Sequence, residues 1–261
     1  MPFGIKFPEE LLQSEKRAKE RETALPLRVP GLDAMISRHG IERGSTLLIS
    51  GGCGTGKSTL VLQSIYNGML KGEKAVYISF EQEVAAIKKH ARVNFGWDLE
   101  KMERERRLFM LRMDPFKIAR SVEAFLAQKK GDLLVSVDEI EFPFIPDRIA
   151  IDSLSALNIA FMGNMENYRY YVSYMFDMLN RYNSLNFVVS ETELTAGTYS
   201  KTGIEEFLAD GVIVLYNTSE NFGGERKRAL EILKLRFSEH VHRPVPFKIG
   251  KSGISLQKQG M

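Results

Sequence analysis

The stretch ISGGCGTGKSTL, residues 49–60, has the form of a loop that binds phosphate. Gly51, Gly56, Lys57 and Ser58 match the pattern G-x-x-x-x-G-K-[ST]. The glycines permit backbone torsions that other residues avoid, so that amide N–H groups can turn toward phosphate oxygens. We expect Lys57 to reach the β- and γ-phosphates of a nucleotide and the Ser58 hydroxyl to bind Mg²⁺.

The segments on either side of the loop support this prediction. An apolar, strand-like run at 45–50 precedes the loop, and residues 57–72 follow with helical spacing and a glycine stop. The positive end of that helix favours an anionic ligand. Cys53 needs only to be small there, and a redox role is the less favoured interpretation. The predicted nucleotide-binding residues of the loop are Gly51, Gly52, Cys53, Gly54, Thr55, Gly56, Lys57, Ser58 and Thr59.

Strand-like and helix-like segments alternate after the loop. The predicted strands are 74–80, 108–113, 148–153 and 186–191, and predicted helices include 83–95 and 118–131. Such alternation predicts an α/β fold with a mostly parallel sheet flanked by helices. Aromatic and methionine residues between Tyr168 and Tyr182 recur every three or four positions, which predicts the buried face of a helix rather than a ligand site. Short strands after residue 203 predict an antiparallel extension at one side of the sheet.

The chain is expected to form one large domain. We place it at 27–256, after a charged N-terminal arm at 1–26 and before a tail at 257–261. Residues 131–147 resemble an insertion before a core strand. A hairpin or partner surface and a solvated excursion without a role are equally compatible with that insertion.

Composition argues against disulfide-rich and membrane proteins but says little about binding partners. The net charge is +3, which is too small to indicate a nucleic-acid partner by itself. A single cysteine excludes an internal disulfide framework and fits a cytoplasmic protein. No apolar run reaches the ~20 residues needed to cross a bilayer, and the N-terminus lacks an apolar signal core. We therefore expect no membrane partner.

Two places offer the acidic residue that a nucleotide-bound Mg²⁺ requires. LLVSVDE ends in Asp138 and Glu139, whereas RIAIDSLSAL carries Asp152 at the end of a predicted core strand. Parallel strands deliver such residues to the edge where ligands bind, so we favour Asp152. The alternative for Asp138 and Glu139 is a solvated turn.

Glu81 is the candidate base for hydrolysis. It follows the predicted strand 74–80, and a carboxylate there can orient a water for attack on the γ-phosphorus and accept its proton. An equally good interpretation from the residues alone is that Glu81 caps the next helix. Glu83 is the weaker candidate, because we expect it to lie on that helix.

Several separated motifs resemble the KaiC branch of the RecA-like ATPases. They are RVPGLDAMI, ISFEQEVAAIKKHARVNFGWDL, RIAIDSLSAL, GIEEFLADGVIVL and RALEILKLRFSEH, and together they extend over about residues 27–256. The resemblance implies a RecA-like P-loop fold and ATP hydrolysed to ADP between the subunits of a homo-oligomeric, often hexameric, ring. It supports Asp152 as the metal residue and Glu81 as the base. Because only one such domain is present, clock function is not expected to carry over.

The resemblance also implies a set of residues that contact the neighbouring subunit's nucleotide. They are Lys234, Leu235, Arg236, Ser238 and His240. Two positions depart from the family pattern: Gln82 stands where a second glutamate is frequent, and Phe237 where glycine is usual. The first departure predicts slow hydrolysis, and the second makes the turn after Arg236 harder to predict.

Four functions compete at this point. The favoured one is a KaiC-like ATPase whose nucleotide state changes an oligomer and its binding to an unidentified protein partner. A RecA- or RadA-like DNA motor is disfavoured, because the expected DNA-facing loops contain one basic residue, Lys201. A small-molecule kinase would need an arginine-rich lid that we do not find. A scaffold that hardly hydrolyses ATP stays open because of Gln82.

Overall fold

The structure is a computed structural model that describes residues 5–6, 24–128, 140–192, 199–200, 202–219 and 226–257. Its strands are β1 (Ile5–Lys6), β2 (Ala24–Leu25), β3 (Ile41–Glu42), β4 (Thr46–Gly51), β5 (Ala75–Ser79), β6 (Leu108–Arg112), β7 (Ile140–Glu141), β8 (Arg148–Asp152), β9 (Leu185–Glu191), β10 (Gly211–Ser219), β11 (Arg226–Leu235), β12 (Val245–Gly250) and β13 (Gly253–Leu256). Within the described residues, nine of these strands form one sheet, in the order β13-β12-β11-β10-β4-β9-β8-β5-β6.

The direction of the strands confirms the predicted fold. From β10 to β6 every neighbouring pair is parallel, whereas β10–β11, β11–β12 and β12–β13 are antiparallel. Apolar strands that alternate with helices give parallel pairs, because each crossover returns the chain to the same edge. The C-terminal strands β10 to β13 are consecutive in sequence and reverse direction at each step. The fold is thus a mostly parallel sheet with an antiparallel extension.

Helices cover both faces of this sheet. They are α1 (Lys57–Met69), α2 (Val84–Phe95), α3 (Leu99–Arg104), α4 (Pro115–Gln128), α5 (Leu154–Ala160), α6 (Met165–Asn180) and α7 (Glu205–Leu208). The short helices α3, α5 and α7 were not predicted, since segments of four to seven residues carry little periodicity. Within the described part of the chain, no helix is long and apolar enough to cross a bilayer.

Two apolar cores lie on opposite faces of the sheet. One joins the sheet to α1, α2 and α3, and the other joins it to α4, α5 and α6. The predicted stripe on α6 belongs to the second core, where Tyr168, Tyr171, Met175 and Leu179 are buried. The interpretation of this stripe as a packing face is therefore confirmed.

Residues at the end of the predicted arm and at the end of the predicted insertion pack against the rest of the domain. Ala24–Leu25 pairs with Ile41–Glu42, and Leu25 is fully buried, so the last part of the predicted arm packs with the domain. Phe142, Phe144 and Ile145 are buried too, so the second half of the predicted insertion belongs to the core rather than to a solvated excursion. The first half, at 131–139, lies outside the described residues, as do residues 1–4, 7–23 and 258–261 of the predicted arm and tail.

A buried arginine connects the segment between β2 and β3, which contains Pro26 and Arg28, to the sheet. Arg148, at the start of β8, is 0% exposed and donates to Glu73, to Ser64 Oγ at 3.0 Å and to the Pro26 carbonyl at 2.7 Å. Arg28 forms a second ion pair with Glu73 at 2.7 Å. A buried guanidinium is tolerated only when its donors are satisfied in this way.

The C-terminal hairpin packs on the helix that follows the phosphate loop. Gln63 of α1 donates to the Ile254 carbonyl at 2.9 Å and accepts from the Ile254 amide at 2.6 Å. A side chain at Gly253 would collide with Gln63 and Trp97, so the close approach requires glycine. The antiparallel extension therefore helps to hold α1, and with it the loop, in place.

Candidate functional site

The predicted phosphate loop connects the central strand β4 to α1. Gly51, Gly54 and Gly56 have φ values of 149°, 71° and 104°, which are unfavourable for residues with a side chain. A Cβ at Gly51 would lie 2.4 Å from the Leu215 carbonyl oxygen, so only glycine fits. Thr55 Oγ1 donates to the Gly52 carbonyl at 2.9 Å and closes the turn. The loop thus has the backbone conformations that the sequence pattern predicts.

The other loop residues surround the start of α1. Cys53, Gly54 and Ser58 are exposed, whereas Thr59 is half-buried. The helix begins at Lys57, so the amides of the loop and of the first helical turn have no partner within the helix. The Ser58 hydroxyl is accessible on this turn. The start of α1 can therefore offer both N–H donors and a hydroxyl oxygen to a ligand.

Lys57 feels the negative charge of several acidic residues. Its Nζ donates to the carbonyls of Gly51 and Gly52 at 2.9 and 2.8 Å. Burial lowers the pKa of Lys57, while the negative charges of Glu191, Asp152 and Glu81 act in the opposite direction. These carboxylates come from three different strand ends, so the fold gathers them around one ammonium.

Asp152 ends β8 at the predicted edge and is bound by a tyrosine. Its carboxylate is half-buried, and the Tyr77 hydroxyl donates to Oδ2 at 2.5 Å. Burial raises the pKa of Tyr77 well above its ordinary value, and the charge of Asp152 raises it further, so the phenol stays protonated and donates. Sequence reasoning missed Tyr77, because a tyrosine within a buried strand is indistinguishable from a core residue.

Glu81 follows β5 and lies beside Asp152. Ser153, the residue after Asp152, donates its hydroxyl to Glu81 Oε1. Ser79 shapes the turn by accepting from the Gln82 amide at 3.0 Å and donating to the Gln82 carbonyl at 2.7 Å. The Glu81 side chain is exposed at the mouth of the site. Two adjacent residues therefore serve both candidate roles: Asp152 is the candidate metal ligand, and Ser153 orients the candidate base.

Glu83 occupies a different environment. It is the N-cap residue of α2, and its Oε1 forms an ion pair with Arg112 NH1 at 2.8 Å. The cap position that sequence reasoning considered for Glu81 thus belongs to Glu83. This geometry favours Glu81 over Glu83 as the residue that faces the phosphate loop.

Glu191 is a third carboxylate at this edge that sequence reasoning did not assign. It ends β9, which pairs with β4 so that Glu191 lies opposite Gly51. The Glu191 amide donates to Ser155 Oγ at 2.8 Å. The signal was present in the sequence, since NFVVSE places an acid at the end of a predicted strand, as in the segment that carries Asp152.

The predicted neighbour-contacting residues lie at the opposite edge of the sheet. Leu235, at the end of β11, pairs with Gly211, and Gly211 pairs with Leu47 near the start of β4. The phosphate loop begins at the other end of β4, about 13 Å further along the strand direction. We call the edge with the phosphate loop the carboxyl edge and the edge with Leu235 the amino edge.

Lys234 and Arg236 converge on one short segment at the amino edge. Lys234 Nζ donates to the Glu206 and Ala209 carbonyls at 2.8 and 2.7 Å, and Arg236 donates to the Phe207 carbonyl and to Asp210 Oδ1 at 3.1 Å each. These acceptors include the last carbonyls of α7, whose negative dipole end attracts cations. Burial lowers the pKa of Lys234, as does the nearby charge of Arg236.

The other members of this predicted set lie around the turn after β11. Leu235 packs against the core on the α1 face, away from Lys234. Phe237 has a left-handed φ of 60° and is 85% exposed. The backbone conformation that glycine adopts easily is therefore present here with phenylalanine in its place. Ser238 Oγ lies 3.4 Å from Ser37 Oγ. The His240 ring lies 4.3 Å from the His242 ring at a tilt of 49°, and its buried Nε2 has no hydrogen-bond partner among the described residues.

Three residues that belong to the alternative interpretations of the sequence are not among the residues that the structure describes. Asp138 and Glu139, the alternative acidic pair for the metal, lie outside the described residues. So does Lys201, the basic residue of the loops that a DNA motor would use. Within the described part of the chain, no group of three or more His, Cys, Asp or Glu side chains could hold a metal by itself.

The donors at the carboxyl edge fit a magnesium-bound nucleotide. Mg²⁺ prefers oxygen ligands and is usually bound by one or two protein groups together with substrate phosphates. Ser58 and Asp152 supply a hydroxyl and a carboxylate of this kind. The Lys57 ammonium has three N–H groups, two of which bind loop carbonyls, and the loop amides suit phosphate oxygens. The residues present therefore fit both the nucleotide and its metal.

Comparison with known proteins agrees with this geometry. The family model described as "ATPase: KaiC" matches residues 25–261. The circadian clock oscillator protein KaiC of Parathermosynechococcus lividus is 31% identical over 242 residues, and that of Synechococcus elongatus is 32% identical over 229 residues. The alignments cover 89% and 85% of this chain but 42% of each relative, so the chain spans less than half the length of these relatives.

A solved structure shares the fold. The crystal structure of a KaiC-like protein from Pyrococcus horikoshii OT3 superimposes with a TM-score of 0.71 at 28% sequence identity, covering 90% of this chain and 98% of the other. The family match extends over nearly the whole chain, and the sheet, the phosphate loop and the acidic strand ends have the arrangement of a nucleotide-binding ATPase. The chain belongs to the KaiC family of RecA-fold ATPases.

Proposed function

We propose that this protein hydrolyses ATP to ADP and phosphate with Mg²⁺ and that the reaction controls the state of a homo-oligomer. The observation that carries the proposal is the convergence of Lys57, Asp152 and Glu81 at the carboxyl edge, on strand ends that are distant in sequence. Lys57 and the loop amides bind the phosphates, and Ser58 and Asp152 hold the metal. When bound, Mg²⁺ supplies positive charge to the phosphate oxygens.

Glu81 is the group that accepts the proton of the attacking water. Its hydrogen bond from Ser153 fixes the orientation of the carboxylate, and its exposed position at the mouth of the site leaves room for a water next to the γ-phosphate. Gln82 points to solvent and cannot serve as a second base. One carboxylate instead of two is consistent with slow hydrolysis.

The second half of the site comes from the neighbouring subunit. Lys234 and Arg236 lie at the amino edge and face away from the phosphate loop of their own chain, so a single subunit does not combine the two halves. In a head-to-tail ring, which we propose to be hexameric, the amino edge of one subunit meets the carboxyl edge of the next. The cations then stabilise charge on the γ-phosphate, as arginine fingers do in other P-loop enzymes.

This arrangement makes the interface sensitive to the nucleotide. Lys234 and Arg236 bind carbonyls of α7 and Asp210 in the isolated chain, and a bound triphosphate offers them a stronger, fully charged partner. Exchange of ATP for ADP removes that partner. We infer that the nucleotide state is thereby transmitted to the oligomer and to any protein bound to it.

Two measurements on the purified protein test the proposal. Incubation with Mg·ATP should release ADP and phosphate in equal amounts, and chelation of Mg²⁺ should stop the release. The mass of the particle in solution should increase in the presence of ATP. A protein that binds ATP but shows no turnover would be the scaffold that Gln82 suggests, and stimulation by DNA would support a motor instead.

A further inference from the structure

Tyr77 makes a contact that neither packing nor the proposed reaction requires. The residue lies in the middle of β5 and is 1% exposed, on the face covered by α1 and α2. A phenylalanine would fill the same space with the same apolar ring. The tyrosine adds only a hydroxyl, and this hydroxyl donates to Asp152 Oδ2 at 2.5 Å.

The register of the sheet explains how the two residues meet. Tyr77 pairs with Ala150 and Ser79 pairs with Asp152 across the parallel strands β5 and β8. Residues two apart on a strand share a face and are separated by about 6.6 Å. A tyrosine ring is long enough to span this distance, so Tyr77 reaches the carboxylate of its diagonal neighbour from beneath.

We propose that Tyr77 is a positioning residue that orients the Asp152 carboxylate toward the nucleotide-bound Mg²⁺. This inference rests on the metal role of Asp152 in the proposed function. The hydrogen bond restricts rotation of the carboxylate. A phenol is uncharged, so it orients the carboxylate without cancelling the negative charge that attracts the metal. Partners of this kind fix the orientation and basicity of metal ligands.

The molecule contains a matched control for this contact. Tyr168 of α6 is 0% exposed and donates to Glu205 Oε1 at 2.5 Å, the same distance as in the Tyr77 pair. This second pair lies in the core on the other face of the sheet, and Glu205 also accepts from Ser200 and Thr202. Loss of the hydroxyl from Tyr168 therefore reproduces the structural cost of losing a buried tyrosine–carboxylate bond away from the site.

The experiment compares nucleotide affinity with and without the metal. Equilibrium binding of a fluorescent ATP analogue is measured in excess Mg²⁺ and in EDTA for the wild type, Tyr77→Phe and Tyr168→Phe. All proteins are measured at a temperature at which thermal unfolding shows them folded. We expect Tyr77→Phe to raise the Mg²⁺ concentration for half-maximal binding about 10-fold or more while leaving the affinity in EDTA unchanged. Tyr168→Phe should lower the melting temperature to a similar extent and leave the Mg²⁺ dependence unchanged.

Asp152→Asn separates this inference from the proposed function. It should abolish most of the Mg²⁺ effect, and addition of Tyr77→Phe to it should change nothing further, because both act through one carboxylate. If Asp152→Asn loses the Mg²⁺ effect while Tyr77→Phe keeps it, the positioning role of Tyr77 is wrong and the proposed site stands. If Asp152→Asn itself keeps the effect, the metal assignment and the inference fall together. Equal loss of affinity in EDTA and in Mg²⁺ for Tyr77→Phe would show a structural role only.

Discussion

The two edges of the sheet hold different kinds of charged residue. At the carboxyl edge, Lys57 feels the negative charges of Asp152 and Glu191, which end β8 and β9, and of Glu81, which follows β5. At the amino edge, Lys234 and Arg236 bind backbone carbonyls near the end of α7 and the single carboxylate of Asp210. We propose that the first group binds a metal–phosphate complex and that the second supplies cations to the complex bound by a neighbouring subunit.

We propose that one subunit contains two unlike halves of a site. In this proposal the carboxyl edge supplies the phosphate loop and the amino edge of the neighbouring subunit supplies the finger. Asp210 links the amino edge to β4, since its Oδ2 accepts from the Thr46 amide at 3.0 Å while Oδ1 binds Arg236. Each half is therefore held by the same central strand, at opposite ends.

The largest expected effect comes from the carboxyl edge. Lys57→Ala removes the charge that faces the phosphates, and we expect a loss of nucleotide affinity of about 100-fold or more. Titration with a fluorescent nucleotide analogue measures it. Lys71→Ala, which removes an exposed lysine just after α1, serves as the control and should bind normally. Unchanged affinity in Lys57→Ala would remove the basis for assigning the carboxyl edge as the nucleotide site.

Glu81→Gln tests the chemistry of the same edge. The amide can still orient a water but cannot accept its proton, so turnover should fall about 10²- to 10⁴-fold while ATP binding persists. Phosphate release measures the turnover, and nucleotide titration measures the ATP affinity. Glu83→Gln is the matched control, because Glu83 is bound to Arg112 at the start of α2 and should keep its turnover. The opposite result for the two variants would identify Glu83 as the base.

Replacement of two arginines near the amino edge should have very different costs in stability. Arg148 is 0% exposed with donors to Glu73, Ser64 and Pro26, so Arg148→Ala should cost about 3–5 kcal/mol in the free energy of unfolding. The Arg236 side chain is 44% exposed in its ion pair with Asp210, so Arg236→Ala should cost at most about 1 kcal/mol. Chemical denaturation compares them. A cost above about 3 kcal/mol for Arg236→Ala would indicate that Arg236 serves the folding of its own chain rather than contact with a neighbour.

Much of the carboxyl edge could be predicted from sequence, because its signals are local. The loop, Asp152 and Glu81 each follow an apolar strand-like run, and parallel strands bring such ends together. Tyr77 could not be predicted, because its role depends on the register between β5 and β8, which no local pattern reveals. The hydrogen bond from Ser153 to Glu81 also depends on the register between β5 and β8 and could not be predicted for the same reason.

The amino edge was harder to predict for a related reason. The KLRFSEH motif identified Lys234 and Arg236 through family resemblance, and strand alternation indicated that both point to one side. Their distance from the phosphate loop depends on the antiparallel direction of β11 relative to β10 and β4. Three short helices and the burial of Phe142, Phe144 and Ile145 also escaped prediction, since tertiary packing rather than periodicity determines them.

A mixing experiment tests the central claim, that the two edges of different subunits form one site. Lys57→Ala subunits keep their amino edge, Arg236→Ala subunits keep their carboxyl edge, and each alone should be nearly inactive. Random mixing in equal amounts should pair an intact loop with an intact finger at about one interface in four and restore turnover in proportion. Mass measurement confirms that mixed oligomers form. If they form and turnover stays at the level of the separate variants, Arg236 does not act across the interface and the shared site does not exist.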